Sequence, residues 1–254
     1  DGYIGYVRNK RQGSVTETTI SNEFTEPEYT RIKKDYTINL VWHQISNMDS
    51  NYALSSDIES MTGVNTISPT WFSVASKDGT VSSLADSSYV ETAHEKGLEV
   101  WGLVDNFNQE VDMKEVLTNT TAREKLTTQL IEAALEYQLD GLNIDFENLG
   151  EELGDAYIEF LRELSIQCRK NNLVLSSDNT VPRDFSAYYQ RSEQAEVVDY
   201  FIIMGYDEHY VGSDPGSVAS LSFEKEGIES TIAEGVPADK IISGVPFYTR
   251  LWKT

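Results

Sequence analysis

From Tyr36 onward, short apolar runs rich in β-branched residues alternate with longer stretches whose apolar positions recur every three or four residues. The runs lie at 38–42, 66–68, 98–104, 141–146, 173–176, 198–204 and 241–245. Short runs of this kind predict strands buried on both faces. Helical spacing predicts helices at about 87–96, 121–137 and 152–170, and weaker ones at about 185–193 and 223–234. In the second helix Leu126, Leu130, Ile131, Ala134 and Leu135 share one face, and Gly97 stands where a C-cap would end the first.

A strand-then-helix unit is thus repeated seven times, which implies parallel pairing with crossover helices. A doubly wound open sheet and a closed eight-fold barrel both fit this order. No glycine-rich phosphate loop follows the first run, where Trp42-His43-Gln44-Ile45 stands, and this argues against a dinucleotide-binding sheet. Polar and aromatic residues at several strand ends favour an α/β fold of the (β/α)8 TIM barrel type, truncated after strand 7. The barrel is assigned to 36–254, with seven of eight units. Residues 1–35 are expected to be the tail of an upstream module plus a linker, with Tyr3 to Val7 as a short strand and 13–30 as polar connection. An open seven-stranded barrel would leave two unpaired edges, so the natural chain is expected to continue beyond Thr254.

The chain has 254 residues, with 42 acidic against 20 basic side chains and a net charge of −22. The first 35 residues carry equal numbers of acids and bases, so the whole excess belongs to the predicted barrel. Nucleic acid and anionic membranes would be repelled and are not expected as partners. No apolar run approaches the ~18 residues of a membrane helix, so membrane insertion is not expected either. The single cysteine, Cys168, falls in a helical pattern and predicts a packed, inert thiol; no internal disulfide can form. His43, His94 and His209 share no metal-ligand spacing, and no metal site is expected.

The stretch that carries chemistry is Leu139-Asp140-Gly141-Leu142-Asn143-Ile144-Asp145-Phe146-Glu147. Strand side chains alternate faces, so Leu142, Ile144 and Phe146 share one face and Asn143, Asp145 and Glu147 the other. In a barrel the second face points inward. Three polar groups aimed at a core are costly unless hydrogen-bonded and used. Side chains two apart on a strand stand roughly 6.5–7 Å from each other. The charge of Asp145 should therefore raise the pKa of Glu147 and keep it available as a general acid. Asn143 is expected to donate a hydrogen bond to Asp145 and keep it ionised.

This segment resembles the strand-4 signature of glycoside hydrolase family 18, the chitinase-like barrels, at every position from Leu139 to Glu147. Met204-Gly205-Tyr206-Asp207 resembles the family's Met-x-Tyr-Asp motif near the end of strand 6. Two further segments, 68–72 and 246–252, resemble the branch found in bacterial spore-cortex and cell-wall lytic enzymes. The resemblance implies a retaining glycosidase acting on β-1,4-linked N-acetylglucosamine glycans, peptidoglycan first and chitin oligomers second. Glu147 would be the acid/base, Asp145 would hold the acetamido N–H, and Tyr206 would aim the acetamido oxygen, which is itself the nucleophile. Neither metal nor cofactor is implied. Asn143 stands where many relatives have Asp, which should change proton sharing around Asp145. Asn143, Met204, Asp207, Trp71, Asn106, Tyr248, Arg250 and Trp252 are expected on the substrate, and Trp42 and Trp101 in the core. Asp105 and Asp178 also lie near strand ends. A monomer outside the cell, or on the wall or spore of a bacterium, is expected. The rival readings are a glycan-binding lectin on the same barrel and a structural interaction module.

Overall fold

The structure is a computed structural model that describes residues 30–253. The expected strand at Tyr3 to Val7 and almost all of the polar connection lie outside the described residues. The chain divides into a unit of residues 1–30 and a unit of residues 31–254. The second unit opens ahead of the expected Tyr36. Arg31 Nε–H donates to the Asp199 carbonyl at 2.8 Å, the Ile32 N–H to the Asp199 carboxylate at 2.9 Å, and the Lys34 N–H to the Tyr200 hydroxyl at 2.8 Å.

Eight strands follow: β1 (Leu40–His43), β2 (Thr66–Val74), β3 (Val81–Ser83), β4 (Glu99–Asp105), β5 (Gly141–Asp145), β6 (Val174–Thr180), β7 (Tyr200–Met204) and β8 (Ile241–Gly244). Seven of them form one parallel sheet in the order β1-β2-β4-β5-β6-β7-β8, and β3 folds back antiparallel on β2. The connecting helices are α1 (Leu54–Asp57), α2 (Ser87–Glu95), α3 (Met113–Leu117), α4 (Thr120–Glu136), α5 (Gly154–Lys170), α6 (Arg191–Val197) and α7 (Leu221–Ala233). The sheet curls into a barrel of seven parallel strands. Its two ends approach through Trp42 of β1, whose ring would meet a Cβ on Gly244 of β8 at 2.8 Å. A cavity of about 320 Å³ lies between those ends.

Local chemistry explains the element boundaries. Asp86, Asn119 and Ser220 cap α2, α4 and α7 by accepting first-turn N–H groups. Gly97 ends α2 in the left-handed region at φ 75°, as expected. Leu142, Ile144 and Phe146 are buried on the outer face of β5, where Phe146 stacks on Phe160 of α5 at 5.4 Å. Each such side chain contributes about 1.5–3 kcal/mol of burial. Inside, Trp101 is fully buried and stacks on Tyr200 at 5.6 Å. It fits because position 141 is glycine: a Cβ there would sit 2.7 Å from the Val174 carbonyl and 3.1 Å from the Trp101 ring. Cys168 is buried, and burial pushes its thiol pKa up, so it is inert.

Candidate active site

The inner face of β5 carries Asn143 and Asp145, and Glu147 stands two residues past its end, at the C-terminal mouth of the sheet. The turn that holds Glu147 is pinned from both sides. Asn106, just beyond β4, donates through Nδ2 to the Glu147 carbonyl at 2.8 Å and accepts the Glu147 N–H at 2.9 Å. The Tyr189 hydroxyl donates to the Phe146 carbonyl at 3.0 Å and accepts the Leu149 N–H at 3.2 Å. Asn148 between them adopts φ 52°. Asn106 therefore spends its amide on the main chain of Glu147, and the expectation that it binds sugar is corrected to this clamp.

Below Glu147 lies a buried carboxylate pair. Asp145 is 8% and Asp178, on β6, 2% exposed. Asn143 does not serve Asp145 as expected. Its Nδ2 donates to Asp178 at 2.8 Å, while its Oδ1 accepts from Trp42 Nε1 at 3.0 Å and Ser68 Oγ at 3.1 Å. The reason is geometric: side chains two apart on one strand stand parallel, whereas the neighbouring strand is ~4.8 Å away. Fully buried, and bonded through both its amide oxygen and its amide nitrogen, Asn143 reaches the site through Asp178 rather than by touching substrate. One Asp145 oxygen is buried without a hydrogen-bond partner among the described residues. Burial first, and then the charges of Asp178, Glu147 and Asp105, push the Asp145 pKa up. Burial also raises Asp178, against the lowering effect of the Asn143 hydrogen bond. Two buried carboxyls in one field each disfavour ionisation of the other. Glu147 is raised too, by burial and then by the charge of Asp207, not chiefly by Asp145.

Tyr206 completes the group. Its ring meets Trp42 edge-on at 6.2 Å and Tyr248 at 6.2 Å. Burial and the neighbouring carboxylates raise its pKa, so its hydroxyl stays a donor. Two cavities meet at this ring. One, of about 500 Å³, is lined by Trp42, Gln44, Asp105, Asp145, Asp178 and Tyr206 among others. The other, of about 460 Å³, is lined by Glu147, Arg183, Phe185, Met204, Tyr206 and Asp207 among others. Asp145 lines the first cavity, Glu147 the second, and Tyr206 both. The site can therefore protonate a bridging oxygen and hold a polar substituent beside it.

The remaining expected residues divide. Met204 and Asp207 line the second cavity. Asp207, at φ 60°, accepts from the Tyr248 hydroxyl at 2.6 Å and pairs with Arg250, fastening the chain after β8 to the loop after β7. Tyr248 also lines the cavity between the sheet ends. Trp252 donates to the Gly216 carbonyl at 2.8 Å, so its indole is used to tie that loop. Trp71 is only 2% exposed, packs edge-on to Tyr89 at 4.9 Å and donates to Asn51 at 2.8 Å. It packs into the core and forms part of the wall of the first cavity. Trp42 is the reverse case: expected in the core, it is half-buried and lines both neighbouring cavities. Asp178 joins the site although the sequence marks it only as lying near a strand end. Ser176 and Asp178 alternate against Leu175 and Ser177 as Asn143 and Asp145 do against their neighbours. Among the described residues no group of His, Cys, Asp and Glu is placed to hold a metal, and no helix is long and apolar enough to cross a membrane.

Comparison with known proteins gives a consistent picture. The family described as Glycosyl hydrolases family 18 matches residues 35–254. The glycosylase YvbX of Bacillus subtilis is 29% identical over 188 residues, covering 69% of this chain and 54% of the relative. The cortical fragment-lytic enzyme of Bacillus anthracis is 25% identical over 189 residues, covering 70% and 44%. The chain thus spans about half the length of the curated relatives it matches. Among solved structures, the spore cortex-lytic enzyme SleL of Bacillus cereus superposes with a TM-score of 0.72 at 20% identity, over 82% of this chain and 50% of that one. The chitinase of Chromobacterium violaceum gives 0.71 at 20%, over 83% and 68%. These two likenesses concern the fold alone.

Proposed function

The chain belongs to glycosyl hydrolase family 18, and from that premise we propose that it is a retaining glycosidase that cleaves β-1,4-linked N-acetylglucosamine glycans. Peptidoglycan is the first substrate and chitin oligomers the second, because relatives of this chain are named cortical fragment-lytic enzymes. The same likeness supports a role at the wall or spore of a bacterium, outside the cell.

The sugar to be cleaved lies in the cavity of Asp145, Asp178 and Tyr206, and the leaving sugar in that of Glu147 and Arg183. The substrate's acetamido oxygen attacks C1. The C1–O bond breaks, and Glu147 gives its proton to the departing oxygen. The acetamido group becomes a positively charged oxazolinium. Asp145 passes its proton to Asp178 as the sugar binds, and then accepts the acetamido N–H and balances that charge as a carboxylate. The Tyr206 hydroxyl donates to the acetamido oxygen and aims it. Water then attacks C1, Glu147 takes back a proton, and the anomeric configuration is retained by two inversions. Neither metal nor cofactor enters these steps.

The observation that carries the reading is the placement of Asp145 and Glu147 on two cavities that share Tyr206. The test compares wild type with Glu147→Gln on chitooligosaccharides and purified muropeptides. New reducing ends from wild type alone are expected. Binding by both proteins with cleavage by neither would leave a lectin, and binding by neither would leave an interaction module.

A further inference from the structure

The cavity on the leaving-group side has one basic side chain among its lining residues, Arg183, in a domain that carries a net −22. Its acidic neighbours are already engaged. Asp207 is paired with Arg250 and Tyr248. The Glu208 carboxylate accepts from the Ser220 N–H at 2.7 Å and the Ser220 hydroxyl at 3.0 Å. Glu147 carries the proton it donates. Arg183 is held in place from two directions. Its N–H donates to Ser186 Oγ at 3.2 Å, and that hydroxyl donates back to the Arg183 carbonyl at 3.0 Å. Its guanidinium lies over the Phe223 ring, 5.6 Å from the centroid. One terminal nitrogen donates to Glu226 at 2.7 Å, in a pair whose side chains are 38% and 59% exposed. An exposed pair of this kind is weak and exchanges with water. No hydrogen bond from the Nε–H or the second terminal nitrogen forms among the described residues. Beside it Phe185 and Tyr210 are 80% and 55% exposed, and both line the same cavity.

We propose that this cavity takes a leaving-group sugar bearing a free carboxylate, such as the 3-O-lactyl acid of an N-acetylmuramic acid that carries no peptide, and that Arg183 is the residue that selects it. The inference rests on the glycosidase reading above and names its preferred substrate. A guanidinium fork matches a carboxylate in two parallel hydrogen bonds, and the aromatic faces of Phe185 and Tyr210 cover the apolar side of the ring. Chitin offers only a hydroxyl at that position, so it gains the stacking and not the ion pair.

The experiment measures KM and kcat for two matched oligosaccharides, one with N-acetylmuramic acid as the leaving sugar and one with its lactyl methyl ester, alongside chitotetraose. Wild type is expected to favour the free acid by about tenfold in KM, as a charged hydrogen bond at a partly open site should. Arg183→Gln should remove that preference, bringing the KM of the free acid to that of the ester, and Arg183→Lys should keep part of it. Equal treatment of acid and ester by wild type would overturn the proposal, as would an equal loss on all three substrates. If wild type cleaves none of them, the glycosidase reading has failed separately. Binding of acid and ester to Glu147→Gln then decides the role of Arg183, with equal affinity counting against it.

Discussion

Replacing Asn106 by alanine removes both hydrogen bonds that fix the main chain of Glu147, at 2.8 and 2.9 Å. Each is worth about 0.5–1.5 kcal/mol net. Together they amount to about 1–3 kcal/mol, most of which should appear in the transition state, where Glu147 must sit within hydrogen-bond reach of the departing oxygen. At about 1.4 kcal/mol per tenfold, kcat should fall roughly 10- to 100-fold. KM should change little, since the amide faces Glu147 and not the sugar. Asn106→Asp separates the two bonds. It keeps the acceptor for the Glu147 N–H but sets an oxygen against the Glu147 carbonyl. It also adds a negative charge that should move the alkaline limb of the rate profile to higher pH. The assay is release of a fluorogenic leaving group from a chitobiose or chitotriose glycoside across pH 4–9, with thermal melting as a control for folding. A rise in KM at unchanged kcat would mean that Asn106 contacts substrate after all. A lower melting temperature with unchanged kcat would mean that the clamp is merely structural. Either result refutes the reasoning.

Three further predictions concern charge and packing. The charge of Asp207 helps raise the Glu147 pKa. Asp207→Asn should therefore lower it and move the alkaline limb of kcat/KM to lower pH; a limb that stays put would remove Asp207 from the account. Asp145 has a folded pKa above its ordinary value, so the native state binds its proton more tightly than the unfolded chain does. Stability is then lost as pH rises from the ordinary carboxylate range through the raised value. Asp145→Asn should melt higher than wild type at pH 8 and close to it at pH 4, and a pH-independent difference would contradict the buried pair. Gly141→Ala should destabilise by about 1–3 kcal/mol in chemical denaturation, because a Cβ there meets the Val174 carbonyl and Trp101; a neutral result would show that the barrel floor yields.

The sequence told most where alternation was undisturbed. Leu142, Ile144 and Phe146 against Asn143, Asp145 and Glu147 read correctly as outer and inner faces, and the strand-helix order read as a barrel. Alternation fails at β2. Its pairing with β4 shifts register between Thr70 and Phe72. Trp42 was misread because β1 ends the sheet, so its residues stay half-buried where a central strand would bury them. The hairpin strand β3 is only three residues long, too short for a periodic signal. Asp178 and the Asn106 clamp depend on which strands become neighbours. That follows from the parallel order of β4, β5 and β6 and from no single segment. Arg183 had no local signal at all, since its meaning comes from the cavity into which the loop after β6 brings it.

The central claim is that the substrate's own acetamido group is the nucleophile, with Glu147 as the acid. Proton NMR of the first product formed from a chitooligosaccharide, recorded before mutarotation, tests it most directly. The account predicts the β-anomer at the new reducing end. The α-anomer appearing first would mean a single inverting attack by water, and the roles of Asp145, Tyr206 and Glu147 in a two-step retaining reaction would not stand.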